Sequence, residues 1–123
     1  MIAGIGTDIV GVEDFERRLR RTAELKNFVF TPQEIAYCEA GRAPSVRFAA
    51  RFAAKEALMK ALGGGWDETA SFKEIEIVND ESGKPSFRFH GRVAKRLSKD
   101  GTVAHLSLSH TDQYALAFAV VEK

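Results

Sequence analysis

Glu56 and Lys60 stand four residues apart in the stretch Arg47–Gly65, RFAARFAAKEALMKALGGG. In a helix, at about 100° per residue, they stack one turn apart. On spacing alone, Glu followed by Lys at i+4 is a common solvated pair, worth a few tenths of a kcal/mol. The functional reading is a metal-binding carboxylate beside a lysine that contacts phosphate or accepts a proton. Arg47, Arg51 and Lys55 recur at the same spacing and form a cationic stripe alongside. A second acid, Asp8, interrupts the apolar run Ile2–Val10. A carboxylate there is costly to bury unless it is paired or holds a metal; otherwise it is a strand-end acid facing water or a cap for the next helix. Two carboxylates with no zinc-spaced His or Cys suit Mg²⁺ shared with a phosphate-bearing substrate. His110, after Ser107 and Ser109, ends a strand at a turn, a position that serves either as a phosphate or base contact or as plain structure. Gly63–Gly65 lacks the Lys-Ser/Thr of a Walker loop, and no G-x-S-x-G elbow is present.

The elements that must position these residues are legible in the patterning. Ile2–Val10 reads as a strand in which Gly4, Gly6 and Gly11 permit close approach of backbone or ligand. Glu13 to about Leu25 reads as a helix with acids early and Arg17, Arg18, Arg20 and Arg21 late, an order that suits the helix dipole. Its arginines form either a solvated face or a docking surface for an acidic protein or nucleic acid. Thr31-Pro32-Gln33-Glu34 opens a third element with a capping box, stopping near Gly41. Arg42–Ser45 is a short loop, with Pro44 and Ser45 as start signals for the central helix and the glycines from Gly63 as its stop. The stretch through Ser71, with Trp66, reads as a loop.

Beyond it, Glu74–Val78 alternates as a half-buried strand, with Ile75 and Ile77 on one face and Glu74 and Glu76 on the other. Asn79–Lys84 is a hairpin turn and Pro85–His90 the returning strand. Gly91–Lys99 is a short helix with Val93, Ala94 and Leu97 inward, closed by Asp100-Gly101. Val103–His110 and Tyr114–Glu122 form a last hairpin, whose second strand is apolar on both faces and therefore central or covered by another subunit. The fold class expected is α+β, with a mostly antiparallel sheet and helices packed on one side.

The chain has 123 residues, a net charge of +1 and a single cysteine, Cys38. That length suits a single domain over 1–123. One cysteine excludes an internal disulfide and a cysteine-based zinc site, and a reducing compartment follows most simply. The N-terminal stretch lacks a basic region, and no run reaches membrane-spanning length. A soluble cytoplasmic protein is expected.

Gly6-Thr7-Asp8-Ile9-Val10, Arg51-Phe52-Ala53-Ala54-Lys55-Glu56-Ala57 with Lys60, Ser82-Gly83-Lys84-Pro85 and Ser107-Leu108-Ser109-His110-Thr111 together resemble the holo-acyl-carrier-protein synthases, the small bacterial class of 4′-phosphopantetheinyl transferases. The similarity runs over nearly the whole chain. It implies a transferase-like fold and transfer of 4′-phosphopantetheine from coenzyme A to a serine of apo-acyl carrier protein, with release of adenosine 3′,5′-bisphosphate and a place in fatty acid biosynthesis. It matches Asp8 and Glu56 to Mg²⁺ ligands and Lys60 to a lysine near the pyrophosphate. Arg51, Gly63, Pro85, His110 and Thr111 match positions lining the nucleotide and its 3′-phosphate. It also implies a homotrimer with active sites between subunits, and no nucleic-acid or membrane partner.

On this reading Mg²⁺ and Lys60 neutralise the pyrophosphate during attack. The base for the carrier serine is Glu56, through a water on the metal, or Lys60, if burial lowers its pKa. Arg17, Arg20 and Arg21 are the expected docking residues for an acidic carrier, although Asp14, Glu16 and Glu24 dilute that face and family members often carry a base near position 14. Two readings from other classes stand beside it. One is a basic-helix module for RNA or an acidic protein, weakened because aromatics do not interleave with the bases. The other is a metal-dependent nucleotide hydrolase using the same carboxylates.

Overall fold

The computed structural model describes residues 1–64 and 72–123. Strand β1 (Ile2–Gly11) leads into helix α1 (Val12–Arg21), a short helix α2 (Leu25–Val29), α3 (Pro32–Glu39) and the long α4 (Pro44–Leu62). The hairpin β2 (Ile75–Asn79) and β3 (Pro85–Phe89) follows, then helix α5 (Gly91–Asp100), then β4 (Val103–His110) and β5 (Tyr114–Glu122). The loop expected through Ser71, including Trp66, lies outside the described residues.

Both sheets are antiparallel. One has the order β1-β5-β4 and the other pairs β2 with β3. β5 is central, as its two apolar faces require. Its inward row Ala115, Ala117, Ala119 and Val121 is buried. The helical side of this sheet is covered by α4, whose small residues Ala53, Ala57 and Ala61 are buried. β1 meets α4 along a seam without side-chain bulk. A Cβ on Gly4 would collide with the carbonyl oxygen of Ala61, and one on Gly6 with that of Ala57. Strand and helix thus touch at backbone distance, which is what the glycines in β1 provide.

Several boundaries differ from the sequence reading. The first helix ends at Arg21 rather than near Leu25, because Thr22 takes an extended conformation and the chain restarts as α2. α2 exists through tertiary burial of Val29 and Phe30 in an aromatic cluster with Phe15 and Phe48, a signal that local periodicity over five residues does not carry. α4 starts at Pro44, so the linking loop is shorter than expected. The capping box at Thr31 and Glu34 is present in full. α5 ends on Gly101 in the left-handed conformation.

Candidate active site

The Gly-Ala seam determines what faces what. Gly4, Gly6 and Asp8 alternate onto the same face of β1, and Asp8 pairs across the sheet with the inward Ala117. One residue along the helix from Ala57 and Ala61 stand Glu56 and Lys60. Close contact at the seam therefore carries Asp8 up to that edge of α4. Lys60 Nζ donates to Asp8 Oδ1 at 3.1 Å and to the Thr7 carbonyl at 3.0 Å. Asp8 and Glu56 line one cavity of about 420 Å³, together with Ile9, Val10, Asp14, Phe15, Arg18 and Phe52. Three predicted residues from a strand and a helix thus converge. Lys60 keeps 55% of its side chain exposed, so the burial on which its role as base rested is not met within the chain.

The cationic stripe does not survive as such. Arg47 and Arg51 place their guanidiniums 4.1 and 4.0 Å from the centre of the Tyr37 ring, on the α3 side of α4. Arg51 is buried, donates to Asn79 Oδ1 at 2.7 Å, and keeps a buried Nε without a partner among the described residues. Lys55 is wholly buried. Its Nζ donates to Glu34 Oε1 at 2.8 Å and to the carbonyls of Phe72 and Ile75 at 2.8 and 2.6 Å. Burial pulls its pKa down, and Glu34 works against that. Glu34 in turn accepts from the amides of Thr31 and Ile77. Glu76 is buried as well, contrary to the half-solvated strand expected; its carboxylate accepts from the Thr31 hydroxyl at 2.6 Å and lies 2.9 Å from His90 Nε2. Sequence reasoning missed this network, because Lys55 and Glu34 are 21 residues apart and only the tertiary fold brings them together.

The other expected site residues fall into separate groups. Pro85 pairs with Asn79, the partner of Arg51, so these two lie close together. Gly63 caps α4 at φ +84 with open space around it. His110 and Thr111 sit two strands from β1, in the register row Val10–Ala115–His110. The Thr111 hydroxyl accepts from the amides of Gln113 and Tyr114 and shapes that turn. A second cavity of about 460 Å³, lined by Asp112, Gln113 and Tyr114, shares Gly11 and Asp14 with the first. None of Arg51, Gly63, Pro85, His110 and Thr111 lines the cavity of Asp8 and Glu56. On α1, Arg17 is paired with Asp14 and Glu13, and Arg20 with Glu16. Those pairs are exposed and weak enough to exchange partners.

A cleft lined by the carboxylates Asp8, Asp14 and Glu56, with Lys60 bound to Asp8 at its edge, at the junction of a three-stranded antiparallel sheet and its covering helix, is equipped to hold a cation and a polyphosphate. Comparison with known proteins gives it a class. A profile of the 4′-phosphopantetheinyl transferase superfamily matches residues 4–119, and the chain belongs to that superfamily. Within it, its relatives are synthases of one kind. The holo-[acyl-carrier-protein] synthase of Halorhodospira halophila is 45% identical over 98% of both chains. The crystal structure of the Neisseria meningitidis synthase superposes with a TM-score of 0.91 at 38% identity over 100% of both chains. The Bacillus anthracis synthase, in complex with coenzyme A (3′,5′-ADP), gives a TM-score of 0.78 at 32% identity, covering 98% of this chain and 96% of that one.

Proposed function

We propose that this chain transfers 4′-phosphopantetheine from coenzyme A to a serine of apo-acyl carrier protein, releasing adenosine 3′,5′-bisphosphate, in the cleft between β1 and α4. The observation that carries the reading is that Asp8 and Glu56 line one cavity while Lys60 donates to Asp8, in a chain with the fold of the synthases. The donor set fits Mg²⁺. Among the described residues no group of three or more His, Cys, Asp or Glu side chains gathers as a metal cage. Two carboxylates that leave the remaining positions to water and phosphate oxygens are what Mg²⁺ accepts. Asp8 and Glu56 would hold the ion, which when bound supplies charge to offset the pyrophosphate.

The chain's own residues do the rest. Lys60, tethered by the Thr7 carbonyl, directs its ammonium along the edge where the leaving phosphate must lie. The aromatic floor of Phe15 and Phe52, stacked with centroids 4.7 Å apart, limits water on one side of the cavity. Glu56 lines the cavity wall, and we assign it the serine proton.

We place the carrier on α1, where Arg17, Arg20 and Arg21 offer positive charge to an acidic partner. We propose a homotrimer with sites between subunits, working in the cytoplasm and in fatty acid biosynthesis. Support for the trimer is the outer face of the β1-β5-β4 sheet, where Ile5, Ile9, Tyr114, Leu116 and Phe118 lie exposed. No helix among the described residues is long and apolar enough to cross a membrane.

The test is mass spectrometry of apo-carrier incubated with coenzyme A and the protein. Pantetheinyl addition that needs Mg²⁺ and disappears with chelator is expected. Glu56→Gln should lower turnover by at least about 100-fold with the thermal melt preserved. Release of phosphopantetheine without carrier would instead make the protein a hydrolase.

A further inference from the structure

Arg18 is the α1 arginine that reaches the catalytic cavity. It lines the same space as Asp8 and Glu56, whereas Arg17 and Arg20 do not. Its guanidinium carbon lies 5.7 Å from the centre of the Phe15 ring and 5.6 Å from that of Phe52. The two rings are themselves stacked, so they act as one aromatic shelf. A guanidinium resting on such a shelf is fixed in orientation, with its N–H donors still available at its edge. No carboxylate among the described residues forms an ion pair with Arg18, while Arg17 and Arg20 are paired to acids of their own helix.

The position along α4 is informative. Phe52, Glu56 and Lys60 follow one another at four-residue intervals on a single stripe. Lys60 closes one end of the stripe and is engaged by Asp8. Arg18, above Phe52, closes the other. The cavity wall therefore carries three acids, Asp8, Asp14 and Glu56, and one cation, Arg18, while Lys60 stands at its edge through Asp8; Arg18 has no ion-pair partner among the described residues.

We infer that Arg18 is a substrate-contacting residue that holds the non-bridging oxygens of the phosphoryl group being transferred, from the end of the cleft opposite Lys60. The inference rests on the transferase reading above. In that step the serine oxygen forms a bond to the pantetheine-side phosphorus. The bond from that phosphorus to the bridging oxygen breaks, and adenosine 3′,5′-bisphosphate leaves with the electron pair. The serine proton passes to Glu56. Charge on the equatorial oxygens persists through such a step, so a planar two-pronged donor beside them stabilises the transfer. This separates Arg18 from the docking arginines of the same helix, which act on the carrier from outside the cavity.

The test is Arg18→Met and Arg18→Lys in the full chain, with steady-state kinetics in coenzyme A at saturating apo-carrier and calorimetry of carrier binding. The expected result is a fall in kcat/KM for coenzyme A of about 100-fold in Arg18→Met, with partial recovery in Arg18→Lys and carrier Kd unchanged within threefold. A weaker carrier Kd with kcat/KM for coenzyme A retained would make Arg18 a docking residue and overturn the inference. No change in either quantity would make it a solvated side chain, and equal losses in both would report a damaged cleft; each overturns it. An inactive parent protein would defeat the transferase reading itself, so the two failures are told apart by the unsubstituted control.

Discussion

Neighbouring residues in the motif Lys55-Glu56 do opposite jobs. Glu56 lines the cavity, and Lys55, about 100° further round α4, is sealed in the core on Glu34 and two carbonyls. The pair Lys55–Glu34 locks the rotation of α4 against α3 and β2, and so fixes the direction in which Glu56 and Lys60 point. Lys55→Met should leave the Glu34 carboxylate buried without its counter-ion, at a cost of about 3–5 kcal/mol in urea denaturation. A loss below about 1 kcal/mol, the level of an exposed pair, would show that Glu34 finds another partner. The meeting of Asp8, Glu56 and Lys60 was legible from the motifs that resemble the synthases, since helical spacing alone suits a solvated pair as well. Lys55 was not, because a lysine in a helix is ordinarily solvated and only its distant partner makes burial tolerable.

At the level of elements, the crossing of β1 over α4 decides whether a site exists. Gly6→Ala would drive a Cβ into the Ala57 carbonyl, a backbone atom that cannot swing aside. Overpacking of this kind costs about 1–3 kcal/mol, occasionally more, and here it also lifts Asp8 from Lys60. Gly64→Ala, which meets open space, is the control. Chemical denaturation should show a loss in the first variant and little change in the second. A neutral Gly6→Ala would mean that the seam is slack. The glycines were readable as points of close approach, although what approached them was not.

The hairpin β2–β3 is tied down differently, through Glu76. Burial is the largest influence on its pKa and pushes it up, but the hydrogen bonds from Thr31 and His90, with the charges of His90 and Arg88, outweigh burial and hold it below the ordinary glutamate value of 4.5. A carboxylate depressed in the folded state stabilises fully above its unfolded value, and that stability drains away as pH falls through the folded one. Melting temperature should therefore drop as pH is lowered below about 4.5, and Glu76→Gln should flatten that part of the profile. Parallel profiles would remove Glu76 as a source of acid sensitivity. Glu76 was misread as solvent-facing because strand alternation reports two faces but does not reveal that both are covered.

At the scale of the whole molecule, one chain leaves an apolar sheet face open and the expected nucleotide-binding residues dispersed. Soluble monomers rarely expose a contiguous apolar surface of this kind, and Ile5, Ile9, Leu116 and Phe118 alternate onto one face across β1 and β5. Assembly through that face would answer both problems, by covering the patch and by bringing His110 and Thr111 of one subunit toward Asp8 and Glu56 of the next. Phe118→Glu should convert a trimeric mass in sedimentation to a monomeric one, with transfer activity lost. A stronger test uses two inactive variants. In a ring each subunit gives a different surface to each neighbour, so in the proposed trimer Glu56→Gln and His110→Ala would fall in different halves of a shared site. Mixed before assembly in equal amounts, they should regenerate intact sites at roughly a quarter of the total and recover activity in proportion. If each site were built from one chain, mixing would restore nothing, because every subunit in the mixture would carry a defect of its own.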